Sequence, residues 1–340
     1  MDAKHLYRNP HITNFAALIV SATAATLAPL QVFLFAYAFI GPLHYLTEMA
    51  WLQKRHFFSA EGLLSSPVYV VIASALCLAV SVDFYFHRGL TAVSIALLVV
   101  LSLSTRVRDP RILIAVIATG LLARYFLHGF VIFIGAILPT LVHVYVFTLL
   151  FMISGVVRDL RRSDSTPPWR LLAHWINPVL LLVLPPILLR VHPAYSSPGQ
   201  YWIHAESGFA DLHGYLVHLL GGNLRPDSSI LSSVPAAAVL RCLAFIYLFH
   251  YLNWFTKTDL LQWHRVSRRS WTVIVLLYAL SIGCYLWNFL IGFYVVNFLS
   301  LLHVFLEFPL NWQTGQFLTS AFTGLWKPSP ARNIPVKLPR

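Results

Sequence analysis

Apolar residues run along this chain in long blocks, and short polar stretches rich in arginine separate them. The stretches 30–52, 129–157, 236–256 and 271–310 each approach or exceed the roughly 20 apolar residues that span a bilayer. The pattern predicts ten crossings, at 12–28, 30–52, 66–85, 89–105, 110–127, 130–156, 171–191, 236–256, 271–289 and 292–311. The expected architecture is therefore all-α, a polytopic transmembrane bundle of 8–10 helices. The two-residue alternation of outer-membrane barrel strands is missing, which argues against a β-barrel. Two places leave the count open. Pro29 marks either a tight turn between two helices or a kink within one, and the same choice arises around Gly292.

Composition excludes a soluble domain. Only 11% of the 340 residues are charged, against about 25% in soluble proteins, and mean hydropathy is +0.70. The net charge of +12 is concentrated in short loops. Lys54 and Arg55, then Arg106, Arg108 and Arg111, then Arg158, Arg161, Arg162 and Arg170, then Lys257, Arg265, Arg268 and Arg269 fall on one side of the ten-helix arrangement. By the positive-inside rule that side is cytoplasmic and both termini lie there, in an inner or cytoplasmic membrane. The basic residues then face anionic lipid headgroups, and nucleic acid is not an expected partner. Lys4 and Arg8 precede the first apolar run, but no small-residue cleavage site follows, so that run reads as a retained helix.

The chain reads as one membrane domain, 1–326, with a Pro-rich basic tail at 327–340. An external loop at 192–235 carries a short interfacial helix near 211–222. Cys77, Cys242 and Cys284 lack metal or disulfide spacing and read as packing residues.

Four histidines, His44, His143, His250 and His303, each sit inside an apolar segment. Ionisable groups in hydrocarbon are costly and usually face a protein interior with a function. All four fall on helices of one direction, at depths of roughly 9–20 Å from the cytoplasmic end, with His143 the deepest. Converging neutral imidazoles would suit a transition-metal ion. Glu48 and Glu307 follow His44 and His303 by four residues and so share their helix faces. They are the candidate catalytic carboxylates, either joining the metal or accepting the distal N–H of an imidazole. A nitrogen-rich site without cysteine favours Fe(II), with copper or zinc as alternatives. His174, near the cytoplasmic end of the seventh helix, could join as a fifth member but reads better as loop-facing. His264 follows His250 by a helical distance of about 21 Å and cannot share its ion. Tyr45, Tyr145 and Tyr251 lie near the candidate ligands and read as packing residues or the lining of an apolar pocket.

The segment FIGPLHYLTE, 39–48, resembles the G-x-P-H-G-x-x-D motif of the membrane-embedded, Brp/Blh-type β-carotene dioxygenases. Gly41, His44 and, conservatively, Glu48 match it; Pro42 stands one place early, and Tyr45 replaces the second glycine. The resemblance implies an all-helical membrane oxygenase with histidine-bound iron, dioxygen as co-substrate, and a carotenoid, isoprenoid or lipid taken from the bilayer. Two other functions fit the residues: a His/Glu transporter coupled to protons or metal ions, and a lipid acyl- or glycosyltransferase with His250, near Asn253, as a single base.

Overall fold

A computed structural model of the protein describes residues 10–55, 66–86, 91–107, 109–126, 141–162, 168–191, 210–221, 234–257 and 266–324. Of these, 93% are helical and none is in a strand. The helices are α1 (Pro10–Leu27), α2 (Pro29–Lys54), α3 (Ser66–Phe86), α4 (Thr91–Ser104), α5 (Pro110–Phe126), α6 (Thr148–Arg162), α7 (Pro168–Arg190), α8 (Ala210–Leu219), α9 (Val234–Phe255), α10 (Arg268–Trp287) and α11 (Phe289–Phe322). Among the described residues α2, α6 with its entry, α7, α9, α10 and α11 are long and apolar enough to cross a membrane, and α1, α3, α4 and α5 carry shorter apolar stretches. The protein is a transmembrane helical bundle. The tail, most of the external loop, Pro139 and His264 lie outside the described residues.

Both open boundaries resolve as turns. Ala28 leaves the helical region, with φ −146° and ψ 64°. The residue before a proline disfavours the helical conformation, whereas Pro29 itself suits a first turn. The second break falls at Asn288 (φ −152°, ψ 122°), whose side chain accepts hydrogen bonds from the Leu290 and Ile291 amides at 3.0 and 3.2 Å. Asn288 is thus a helix N-cap, and Gly292 serves another purpose. A Cβ at Gly292 would lie 2.4 Å from Tyr285 Cγ and 2.6 Å from Tyr285 Cα, so only glycine lets α10 and α11 close against each other there. From this turn α11 runs for 34 residues, about 51 Å. It continues eleven residues past the segment expected to end at 311, through the more polar run 311–316, and keeps Asn311, Thr314, Phe317 and Leu318 buried against the bundle.

Helix α9 is the central element, with 78% of its apolar window inside the bundle, against 11% for α10. Val273, Leu276 and Leu280 on α10 project outward, an apolar surface that suits lipid and not water. Helix α9 packs on α1, α2 and α7, and α11 packs on α2, α3 and α10. Arg241, buried on α9, donates to the Leu188 and Val191 carbonyls at 2.9 and 2.5 Å. A helix end leaves four carbonyls without partners, and at the end of α7 no water would serve them within the bundle, so the guanidinium does. Helix α8 lies within the interfacial stretch expected from sequence and docks on the start of α9, where His213 Nε2 meets the Ala236 carbonyl at 2.8 Å.

Candidate metal centre

The four intramembrane histidines meet. Their rings form a closed cycle, with centroid separations of 4.8 Å for His44–His250, 5.1 Å for His250–His143, 4.8 Å for His143–His303 and 5.3 Å for His303–His44. Successive ring planes stand 77°, 71°, 82° and 78° apart, so each ring meets its neighbours nearly edge to face. His44, His143 and His303 are buried, and His250 retains some exposure.

Two of these histidines are delivered by widened helical turns. Residues Ala36–Ile40 form a π-helical stretch that ends at Gly41, three residues before His44. Residues 141–147, which lead into α6, are π-helical as well and contain His143. Such bulges cost backbone regularity and recur at functional sites. This one carries the histidine expected to lie deepest to the level of the others.

Inside the cycle the Nε2 atoms approach in pairs, His250 to His44 at 3.1 Å and His303 to His143 at 3.0 Å. Metal–imidazole bonds of about 2.0–2.1 Å place donors about 3.0 Å apart at a right angle and about 3.4 Å apart at the tetrahedral angle. His44, His250 and His303 bring ligand atoms within 4.8 Å of one another, a spacing that suits neighbouring ligands of one ion, and His143 adjoins this group through its 3.0 Å approach to His303.

The hydrogen bonds behind the rings agree. Thr148 Oγ1 donates its only proton to the Val144 carbonyl at 2.7 Å and also lies 2.7 Å from His250 Nδ1. The hydroxyl must then accept from Nδ1–H, which leaves an unprotonated Nε2 facing the centre. Glu307 Oε2 stands 3.1 Å from His143 Nδ1, behind that ring, although off the direction of a good hydrogen bond. Glu48 differs: its Oε2 lies 3.2 Å from His44 Nε2, the same atom that faces His250. Glu48 thus reaches the inner side of the cycle as a possible further ligand, while Glu307 orients a ligand from outside. Sequence spacing had paired Glu307 with His303; folding pairs it with His143, on another helix.

The two carboxyls also meet each other. Lys257, two residues beyond α9, feels both: burial pushes its ammonium down and the carboxylates pull it back up.

Aromatic residues pack against the histidine rings. Tyr45 stacks on His303 with ring centroids 4.3 Å apart, and its hydroxyl bonds that of Tyr251 at 2.5 Å. Tyr251 lies 5.0 Å from His44. A Cβ at Gly41 would stand 3.0 Å from the Tyr45 hydroxyl and 3.2 Å from that of Tyr251, so glycine leaves room for the pair. Tyr145 turns away to the Leu181 carbonyl at 3.2 Å. Trp254 packs edge-on against His44 at 5.5 Å and donates to Thr47 Oγ1 at 3.2 Å.

All four predicted ligands and both predicted carboxylates come together. Thr148, Trp254 and Lys257 escaped sequence reasoning, since an interhelical partner leaves no periodic signal. His174 departs from expectation: it joins a separate group at the helix ends. The chain matches no known protein family, no characterised protein and no solved structure.

Proposed function

We propose that the protein is an integral-membrane, non-haem iron oxygenase that uses dioxygen to oxidise a hydrophobic substrate, a carotenoid, isoprenoid or lipid, drawn from the bilayer. The observation that carries this reading is the closed cycle of four imidazoles, whose Nε2 atoms approach in two pairs, flanked by two buried carboxyls. His44, His143, His250 and His303 would hold Fe(II) through nitrogen donors, a set in which cysteine plays no part. When bound, ferrous iron supplies the electrons and open coordination position that activate dioxygen. Thr148 and Glu307 orient His250 and His143 from behind, as outer partners of metal ligands do. Glu48 is placed to hold a proton or complete the ligand set beside His44. The Tyr45–Tyr251 pair and Trp254 keep the centre dry, and His250, the ring with residual exposure, marks the side from which a substrate can approach.

The same reading places the protein in an inner or cytoplasmic membrane with both termini in the cytoplasm and its basic loops against anionic headgroups. It agrees in kind with the histidine-bound iron of the β-carotene dioxygenases that Gly41, His44 and Glu48 resemble. The test is iron content and substrate-dependent oxygen uptake of protein purified in detergent, with β-carotene, isoprenoid alcohols and unsaturated lipids as substrates. Bound iron lost in His44→Ala and His303→Ala, together with oxygen uptake, supports the proposal. Protein that binds no iron, or whose iron is unchanged in both variants, contradicts it.

A further inference from the structure

A second group of ligating side chains lies away from the four-histidine cycle, where three helix ends meet. His11 stands in the first turn of α1, Asp159 in the last turn of α6 and His174 in the second turn of α7. Asp159 Oδ2 lies 3.4 Å from His11 Nε2 and 3.9 Å from His174 Nδ1. The two imidazole rings face each other at 4.2 Å. Their donor atoms all fall within 4.8 Å of one another. Ligands at about 2.1 Å from one ion, at tetrahedral angles, are about 3.4 Å apart, so small side-chain adjustments would let all three reach the same ion.

The surroundings hold this group in place and leave it open on one side. Asn177, one turn after His174, is buried and donates to the His11 carbonyl at 2.8 Å, which pins the start of α1 to α7. His174 Nδ1, the atom turned toward Asp159, is shielded from solvent yet makes no hydrogen bond. A shielded nitrogen that makes no hydrogen bond, beside a carboxylate, has a lone pair that a cation can take. Arg158 and Arg161, the nearest basic residues in sequence, lie over the Phe317 ring of α11 at 4.8 and 5.6 Å. The side chains of His11, Asp159 and His174 are 28%, 42% and 25% exposed, so an ion bound there would keep positions for water and exchange with the aqueous phase.

We propose that His11, Asp159 and His174 form a second metal site, which takes a divalent transition-metal ion through two imidazoles and one carboxylate. The site is separate from the four-histidine centre and does not depend on the oxygenase reading. A set of two histidines and one carboxylate suits Zn²⁺, Co²⁺, Ni²⁺ or Fe²⁺ and not calcium or magnesium, which prefer oxygen alone.

Titration of the full-length, detergent-purified chain with Co²⁺ tests this, with bound metal counted by elemental analysis after dialysis. Asp159→Asn and His174→Ala should each bind one equivalent fewer than the unaltered chain, whereas His44→Ala should keep that equivalent. A gain-of-signal variant guards against misfolding. Asp159→Cys should develop a thiolate-to-Co²⁺ charge-transfer band that Asp159→Ser, with the same three native cysteines, does not. Unchanged Co²⁺ stoichiometry in Asp159→Asn and His174→Ala would overturn the proposal, as would an Asp159→Cys spectrum identical to that of Asp159→Ser.

Discussion

Thr148→Val is the sharpest perturbation of the histidine centre, because it removes one oxygen and little volume. The Thr148 hydroxyl holds the proton of His250 on Nδ1, so that Nε2 faces the other rings unprotonated. With valine in its place, the metal-bound state keeps a buried Nδ1–H without an acceptor, at a cost of about 1–3 kcal/mol. The metal-free state escapes most of that cost. There the imidazole can move its proton to Nε2 and donate to His44, 3.1 Å away. The loss should therefore appear in metal affinity and hardly in folding. A 10–100-fold weakening, about 1.4–2.7 kcal/mol, agrees with what loss of an outer partner costs a metal-bound histidine. Competition with a chelator of known affinity measures it, using Fe(II) under anaerobic conditions or Co(II) in air, with the Asp159→Asn background silencing the outer site. Thr148→Ser, which keeps the hydroxyl, should restore most of the affinity. A Thr148→Val protein that binds as tightly as the unaltered one would refute the tautomer argument.

Glu307→Gln should weaken metal binding by about 10–100-fold through His143, 3.1 Å from its carboxyl, as read by the same competition; equal affinity would show that the carboxylate does not act on that ring. Gly41→Ala pushes a methyl against the hydroxyls of Tyr45 and Tyr251, an overpacking of about 1–3 kcal/mol. Because Tyr45 stacks on His303, the Co(II) ligand-field spectrum should shift, and an unchanged spectrum would uncouple the tyrosine pair from the metal. Gly292→Ala meets backbone as well as ring at Tyr285, so the α10–α11 hairpin must open; thermal unfolding in detergent should occur at a clearly lower temperature than for Gly283→Ala, where a Cβ meets nothing. Arg241→Met strips the Leu188 and Val191 carbonyls of their donor and should destabilise by about 1.5–3 kcal/mol, seen as faster loss of monodisperse protein on heating, with metal content per folded chain unchanged.

Much of this architecture is written in the hydropathy of the chain. Each expected crossing overlaps a described helix, six of them long and apolar enough to span a membrane, since burial in lipid demands internally satisfied backbone and only a helix supplies it locally. The boundaries were less legible. Gly292 drew attention as a breaker, yet Asn288 ends the helix, because a side chain able to cap two amides matters more there than the absence of a Cβ. The four clustered histidines were legible because polar groups in hydrocarbon stand out against their neighbours. Their partners were not: Thr148 is one threonine among many, and Trp254 resembles an interface residue. The π-helical turns at Ala36–Ile40 and 141–147 leave no mark in a periodic pattern of uniformly apolar residues. Glu307 illustrates the limit most plainly. Its spacing of four from His303 correctly put it near the centre, but which ring it serves is set by helix packing.

The proposed oxygenase chemistry requires four imidazoles to bind one buried ion. X-ray absorption at the iron edge of iron-loaded Asp159→Asn protein, which retains only the inner centre, tests this most directly. The expected result is a shell of nitrogen and oxygen at about 2.0–2.2 Å around the iron, with more distant scattering from four imidazoles that collapses in the His44→Ala and His303→Ala derivatives. A shell with at most one imidazole, or a spectrum indifferent to both substitutions, would contradict it.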